Sequence, residues 1–255
     1  TIWGLGASNS QTIPSHFNML TGQSVYNFGE INWNSRQSLN QLISTRGDQH
    51  IPSVIIFYDG VNDIAHQCRK EIKSLPSHDY ENRIKRRLSS KSNLSGDVLK
   101  FLKKPYEDLI NNFNPKENLD TFSLMYDCHI DQSKARSVAK HLLNNWFTAF
   151  LIAKQTESRF FGILQPTIFT TNTNFNYLEK GEKEKLPIYE EQYNSIYPLI
   201  MEEVKKSCHY NKEFCESIID GRNWLDGHLN VFIDFHHLNS RGNQVIAKKL
   251  AELLN

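Results

Sequence analysis

Three scarcities in this 255-residue chain each exclude a class of protein. Net charge is almost absent: 29 Lys/Arg stand against 28 Asp/Glu, whereas a dedicated nucleic-acid binder is usually clearly basic. Long apolar runs are absent too. None exceeds five residues, as in Val54–Tyr58, far short of the roughly 18 that span a membrane, and no signal-peptide pattern opens the chain. Cysteine is limited to Cys68, Cys128, Cys208 and Cys215 with no C-x-x-C, so neither a zinc nor a redox motif is expected. Internal repeats and a Gly/Pro-rich linker are also missing. What remains is a chain with 39% hydrophobic and 22% charged residues, enough apolar material for one sizeable core and too little net charge for disorder.

The hydrophobic pattern alternates between strand and helix signals. Ile2–Leu5 reads as a short strand and Ile13, Phe17 and Leu20 as a helix face. Ser24–Phe28 reads as a second strand, and Asn34 or Ser35 caps a helix whose apolar face is Leu39, Leu42 and Ile43. P-S-V-I-I-F-Y, ending at Tyr58, is the strongest strand signal, a continuous run as a strand buried on both faces requires. Ser133–Thr156 is a long helix with Val138, Leu142, Trp146, Ala149 and Ala153 on one face. F-F-G-I-L is a further strand stopped before Pro166. Tyr189 opens another helix, with Pro198 kinking it or starting a new one. Ser217–Asp220 is a last strand, and Ser240–Leu254 a last helix with Ile246, Leu250, Leu253 and Leu254 inward. Such alternation predicts an α/β fold in three layers, α/β/α, with a flavodoxin-like parallel sheet of about five strands. One domain covers residues 1–255. A basic helical insertion interrupts it at about 66–131, where His66 to Lys116 carries twelve Lys/Arg against six Asp/Glu. It reads either as a solvated surface or as a cap meeting an anionic substrate.

In an open parallel sheet, functional groups gather beyond the carboxyl ends of the strands. Those positions hold Ser8, Asn9 and Ser10; Gly29 and Glu30; Asp59, Gly60, Asn62 and Asp63; and, before the last helix, Asp234, His236, His237 and Asn239. A serine nucleophile needs a base, and the base needs a partner that fixes its tautomer. Asp234 and His237, three apart, can supply both. Gly29 allows close approach of a backbone N–H, and Asn62 can aim a side-chain amide at a developing oxyanion. Ser8 and Ser10 are both eligible, and both are also ordinary capping residues. G-x-S-x-G is absent. Asp63 reads as a helix cap. Glu30, Asp59, Arg36 and Trp33 are candidates for substrate contact. His228, His236 and His237 lack zinc-type spacing, so no metal is expected.

The blocks G-A-S-N-S (6–10), N-F-G-E (27–30), G-V-N-D (60–63) and D-F-H-H-L-N (234–239) resemble, in order and spacing, the signature of the SGNH hydrolases, or GDSL-type esterases. The middle of the chain, where a long helix carrying N-N-W precedes I-L-Q-P, looks like family members encoded with bacterial surface-polysaccharide genes. This resemblance implies Ser8 as nucleophile, His237 as base and Asp234 as its orienting partner. Ser8 N–H, Gly29 N–H and the Asn62 amide would form the oxyanion hole. Ala7 stands where the family usually has Asp, and His236 falls outside the D-x-x-H spacing.

The expected activity is therefore that of a serine esterase removing acyl groups, acetyl foremost, from a carbohydrate, without a cofactor. Two alternatives stay open: a carbohydrate O-acyltransferase with the same triad, and a non-catalytic glycan-binding module on this scaffold. The expected partner is an acylated carbohydrate or small ester, with no nucleic acid. Thr1 lies a strand's length before the first motif, so the natural chain is expected to continue upstream, and membrane association would come only through an anchor there. Polysaccharide chemistry and an even cysteine count point to the periplasm or cell exterior, with the cytoplasm as the alternative. Cys68–Cys128 and Cys208–Cys215 are the expected disulfides, with four unpaired thiols as the alternative.

Overall fold

The computed structural model describes residue 4 and residues 7–45, 52–73, 75–76 and 125–254. Most of the basic insertion, and Ile2, Trp3 and Leu5 of the first expected strand, lie outside the described residues. Within them, three parallel strands form one open sheet in the order β1 (Val54–Asp59), β2 (Arg159–Leu164), β3 (Ile218–Asp220). Val54 pairs with Arg159 and Asp59 with Leu164, while Gly162 pairs with Ile218. The helices are α1 (Ile13–Thr21), α2 (Ser35–Ser44), α3 (Val61–Gln67), α4 (Gln132–Gln155), α5 (Lys180–Ser207), α6 (Lys212–Glu216) and α7 (Ser240–Leu254), with a 3-10 turn at Asn9–Gln11. The α/β class expected from the alternation is present; a sheet of five strands is not seen among the described residues.

Strand side chains alternate between two cores, which makes the layers. Ile55, Phe57, Phe160 and Leu164 pack with α2–α5 on one face. Tyr58, Phe161 and Ile163 pack with α1 and α7 on the other. The α4 stripe read from the sequence is buried at all five positions, Val138, Leu142, Trp146, Ala149 and Ala153. Each large apolar side chain so buried contributes about 1.5–3 kcal/mol, which offsets the polar outer face of a 24-residue helix. Trp146 fits because Gly162 faces it: a Cβ there would lie 2.8 Å from the indole. Asp131 caps α4 by accepting the Lys134 N–H at 2.9 Å, and Asn34 caps α2 by accepting the Arg36 N–H at 3.0 Å.

Several expectations are corrected. Ser24–Phe28 is irregular chain, with Val25, Tyr26 and Phe28 exposed. A strand exists only where a neighbouring edge takes its hydrogen bonds, and no strand among the described residues pairs with this segment. Leu20 and Ile43 complete helical apolar faces by spacing but are 50% and 49% exposed. Of the two readings of Pro198, a new helix is excluded: one helix, α5, runs from Lys180, nine residues before Tyr189, with Pro187 and Pro198 inside it.

Both expected disulfides are formed, Cys68–Cys128 and Cys208–Cys215. Such bonds persist in oxidising surroundings. No helix among the described residues is long and apolar enough to cross a membrane.

Candidate functional site

The segment that carries Asp234, His236 and His237 is a tight loop closed at its base. Phe232 and Leu238 form an antiparallel bridge, Ile233 N–H donates to the His237 carbonyl at 2.8 Å, and Asn239 N–H donates to the Val231 carbonyl at 3.0 Å. The loop is tied to the carboxyl end of β2: Ile168 N–H donates to the Phe235 carbonyl at 2.9 Å, and Gln165 Nε2 donates to the His236 carbonyl at 3.4 Å. Backbone anchors at both ends hold the loop's side chains to a fixed geometry.

Inside the loop, Asp234 turns back on the chain that follows it, as short acidic side chains do in turns. Its Oδ1 accepts the backbone N–H groups of His236 at 2.9 Å and His237 at 2.7 Å. Its Oδ2 lies 2.6 Å from His237 Nδ1. Burial pushes the Asp234 carboxyl up, but the hydrogen bond from His237 and the two adjacent imidazoles outweigh burial and hold it well below the usual carboxylate range. An ionised carboxylate only accepts, so Nδ1 carries a proton, and in the neutral ring the lone pair is then on Nε2. That is the tautomer a general base requires.

His236 is buried at 8% exposure. Its ring centroid lies 3.7 Å from that of His237 and 4.2 Å from that of Phe235. Burial lowers its pKa to about 3, so it stays neutral. Side-chain nitrogen and oxygen atoms of Asp234, His236 and His237 lie within 4.8 Å of one another.

Ser8 lies at the start of the 3-10 turn, exposed and extended. Its Oγ is 3.2 Å from Ser10 Oγ; no hydrogen bond joins it to His237 among the described residues. The two segments are nonetheless fastened together just beyond these side chains. Asn243 Nδ2 donates to the Gln11 carbonyl at 3.0 Å, and His16 Nε2 lies 3.3 Å from Ser240 Oγ.

The other site candidates share a cavity wall. Gly29, Glu30, Asp59 and Asn62 line a cavity of about 740 Å³, which also touches all six residues of β1 together with Val25 and Phe28. Ser8, Asp234 and His237 are not among its walls. Gly29 N–H donates to Asn27 Oδ1 at 3.0 Å, and Asn62 Nδ2 donates to the Trp33 carbonyl at 2.7 Å, so both oxyanion donors are engaged within the chain. Glu30 is exposed.

Asp59 is 8% exposed and joins three elements. It accepts from Trp146 Nε1 at 3.1 Å and from Ser38 Oγ at 3.2 Å. Burial, then the charge of Asp63, raise its pKa to about 7. Asp63 sits in the first turn of α3 behind Gly60, the capping residue. It accepts from the Ser35 N–H at 3.1 Å and from the Ser35 hydroxyl, and Asn145 Nδ2 donates to that same hydroxyl at 2.8 Å. The sequence reading missed this buried network. Trp146 announces itself only as a helix-face aromatic, and nothing in a one-dimensional pattern says that its indole N–H meets a carboxylate 87 residues away.

The fold is thus a layered α/β arrangement around a parallel sheet, and it carries an Asp–His couple on an anchored loop. No protein-family model matches the chain, and no curated protein matches it.

Proposed function

We propose that this protein is a serine esterase of SGNH type that removes acyl groups, acetyl foremost, from a carbohydrate. The observation that carries the reading is the Asp234–His237 couple, with Nδ1 2.6 Å from Oδ2 and two backbone N–H groups fixing the carboxylate. In the proposed reaction Ser8 Oγ leaves Ser10 and attacks the ester carbonyl while His237 Nε2 takes its proton. Catalytic hydrogen bonds are often long or unmade until substrate arrives, so the present Ser8–Ser10 pairing is compatible with that role. His237 then returns the proton to the leaving sugar hydroxyl. A water deprotonated by the same nitrogen releases the acid from the acyl-enzyme. Ser8 N–H, Gly29 N–H and Asn62 would surround the oxyanion, which requires all three to exchange their internal partners for substrate, Ser8 N–H giving up Gln11 Oε1 at 3.4 Å.

The same proposal includes a single domain over residues 1–255 and a five-stranded sheet. Among the described residues no strand pairs with the outer edge of β1, and the cavity beside that edge suits added strands, which supports the second point. It also places the protein in the periplasm or cell exterior, which the two disulfides support. The test is hydrolysis of 4-nitrophenyl acetate by the purified protein and by Ser8→Ala. The variant is expected to lose nearly all turnover; equal rates would refute the assignment.

A further inference from the structure

We propose that His66 is a positioning residue of the oxyanion hole. Together with Asp63 it holds the segment after Gly29 against α3, so that Asn62 can give up its internal partner for substrate without the segment moving. The inference rests on the esterase reading for its catalytic consequence; the clamp itself rests on geometry.

The segment needs holding. Residues 22–34 form no helix or strand, and they carry Gly29, whose N–H is one of the proposed oxyanion donors. Asn32 adopts a left-handed φ of 64°, a conformation that asparagine tolerates better than most side chains. It is also exposed, so neither a strand ladder nor burial fixes this turn.

The N-terminal half of α3 and its last turn supply the hold. Asn62, Asp63 and His66 lie three and four positions apart, which puts them on one side of the helix. His66 Nε2 is 3.1 Å from the Asn32 carbonyl and 3.1 Å from Asn32 Oδ1. Both oxygens only accept, so Nε2 carries a proton and shares it between them. Asn62 Nδ2 donates to the Trp33 carbonyl at 2.7 Å. Asp63 accepts the Ser35 N–H at 3.1 Å and the Ser35 hydroxyl, and Asn145 on α4 donates to that hydroxyl at 2.8 Å. The bond from Asn62 is therefore bracketed along the chain. One anchor lies at the residue before Trp33, and the other, tied to α4, lies two residues after it.

This bracketing matters because the Asn62 amide has two jobs. In the proposed reaction it leaves the Trp33 carbonyl and turns to the oxyanion. Donors stabilise developing charge best when they are already in place. If the Trp33 bond alone held the segment, its release would loosen Gly29 at the moment its N–H is needed. With His66 and Asp63 still engaged, the exchange gives up one bond, and the half-buried Trp33 carbonyl can take a water instead. In this role His66 contacts no substrate atom; it acts through Asn32.

Hydrolysis of 4-nitrophenyl acetate by the intact chain tests the consequence. His66→Phe keeps a ring on α3 and removes the donor. It should lower kcat roughly tenfold with KM unchanged, as for an interaction made only in the transition state, a smaller effect than the roughly 10²–10³-fold lost with an oxyanion donor itself. His66→Gln, whose amide nitrogen stands in for Nε2 and can donate to Asn32, should recover most of the lost kcat. A residue that merely supports the fold would shift the unfolding midpoint without this split. Wild-type kcat in His66→Phe, an effect confined to KM, or no rescue by Gln would each overturn the proposal. Amide hydrogen exchange reads the clamp without any activity: the Ser35 N–H should exchange as slowly in Asn62→Ala as in wild type. Faster exchange would mean that Asn62 itself holds the segment, and the clamp would fall. If wild type turns over no faster than Ser8→Ala, the esterase reading fails, while exchange at Ser35 still decides the clamp.

Discussion

Replacing Cys68 and Cys128 together by alanine tests the covalent frame of the protein. The two residues are fully buried and 60 positions apart. In the chain-entropy account, a closed loop of that length removes about 14 cal/mol/K from the unfolded ensemble, or about 4.3 kcal/mol at 25 °C. The second bridge, Cys208–Cys215, spans only 7 positions, and the same relation gives about 2.4 kcal/mol. The first pair should therefore cost about 2 kcal/mol more than the second. Non-covalent contacts hold the same junction: Asp127 N–H donates to the Cys68 carbonyl at 3.0 Å, Lys70 N–H to the Met125 carbonyl at 2.8 Å, and Lys134 Nζ bridges the Arg69 carbonyl and Asp127. The variant should thus fold, at reduced stability. Guanidinium unfolding followed by far-UV circular dichroism, with matched slopes, reads the difference. Equal losses for the two pairs, or a smaller loss for Cys68–Cys128, would refute the reasoning that loop length governs these bonds.

Three further outcomes are expected. Asp234→Asn should preserve the fold but favour the wrong His237 tautomer, lowering kcat on 4-nitrophenyl acetate by about 10⁴-fold; a loss under tenfold would argue against His237 as base. Asp59, raised to about 7 by burial and by Asp63, binds a proton in the folded state that the unfolded chain releases near pH 4. Its contribution to stability is fully present below about pH 4 and is lost as pH rises toward 7. Denaturation midpoints of Asp59→Asn, whose oxygen still accepts from Trp146 and whose amide nitrogen can donate to the Ser38 hydroxyl in place of accepting from it, should lack that decline; a parallel decline in both proteins would place its cause elsewhere. Gly162→Ala puts a methyl 2.8 Å from Trp146 and 2.9 Å from the Ile218 side chain, and should cost about 1–3 kcal/mol in thermal unfolding through overpacking. A neutral result would mean that α4 shifts freely over the sheet.

The periodicity of α4 and α7, the continuous apolar run of β1 and the capping residue Asn34 were all legible, because each is written in residues that are neighbours along the chain. Hydrogen bonding within a helix closes over four residues, so helix boundaries such as Ser240–Leu254 follow from local sequence. Strand pairing has no such locality. Ser24–Phe28 has the composition of a strand, yet it takes no partner edge among the described residues, and composition alone cannot supply one. Pro198 shows the converse: a residue that usually stops a helix is carried inside α5, where buried Tyr197, Leu199 and Ile200 pack into the core around it.

By itself the sequence determined the α/β class, the order of chemical groups along the chain and the three-residue spacing that lets Asp234 reach His237. Only the tertiary structure decided that this couple sits on a loop anchored to β2, that His236 points a buried nitrogen at the same carboxylate, and that Asp59 is largely buried and bonded to Trp146. It also put Gly29 and Asn62 on the wall of the cavity beside β1, where Ser8, Asp234 and His237 do not lie. The reason is physical. A side chain's reach to its near neighbours is set by covalent geometry, whereas burial, and the pKa shifts and orphaned atoms that come with it, exists only once distant segments have closed around a group and excluded water.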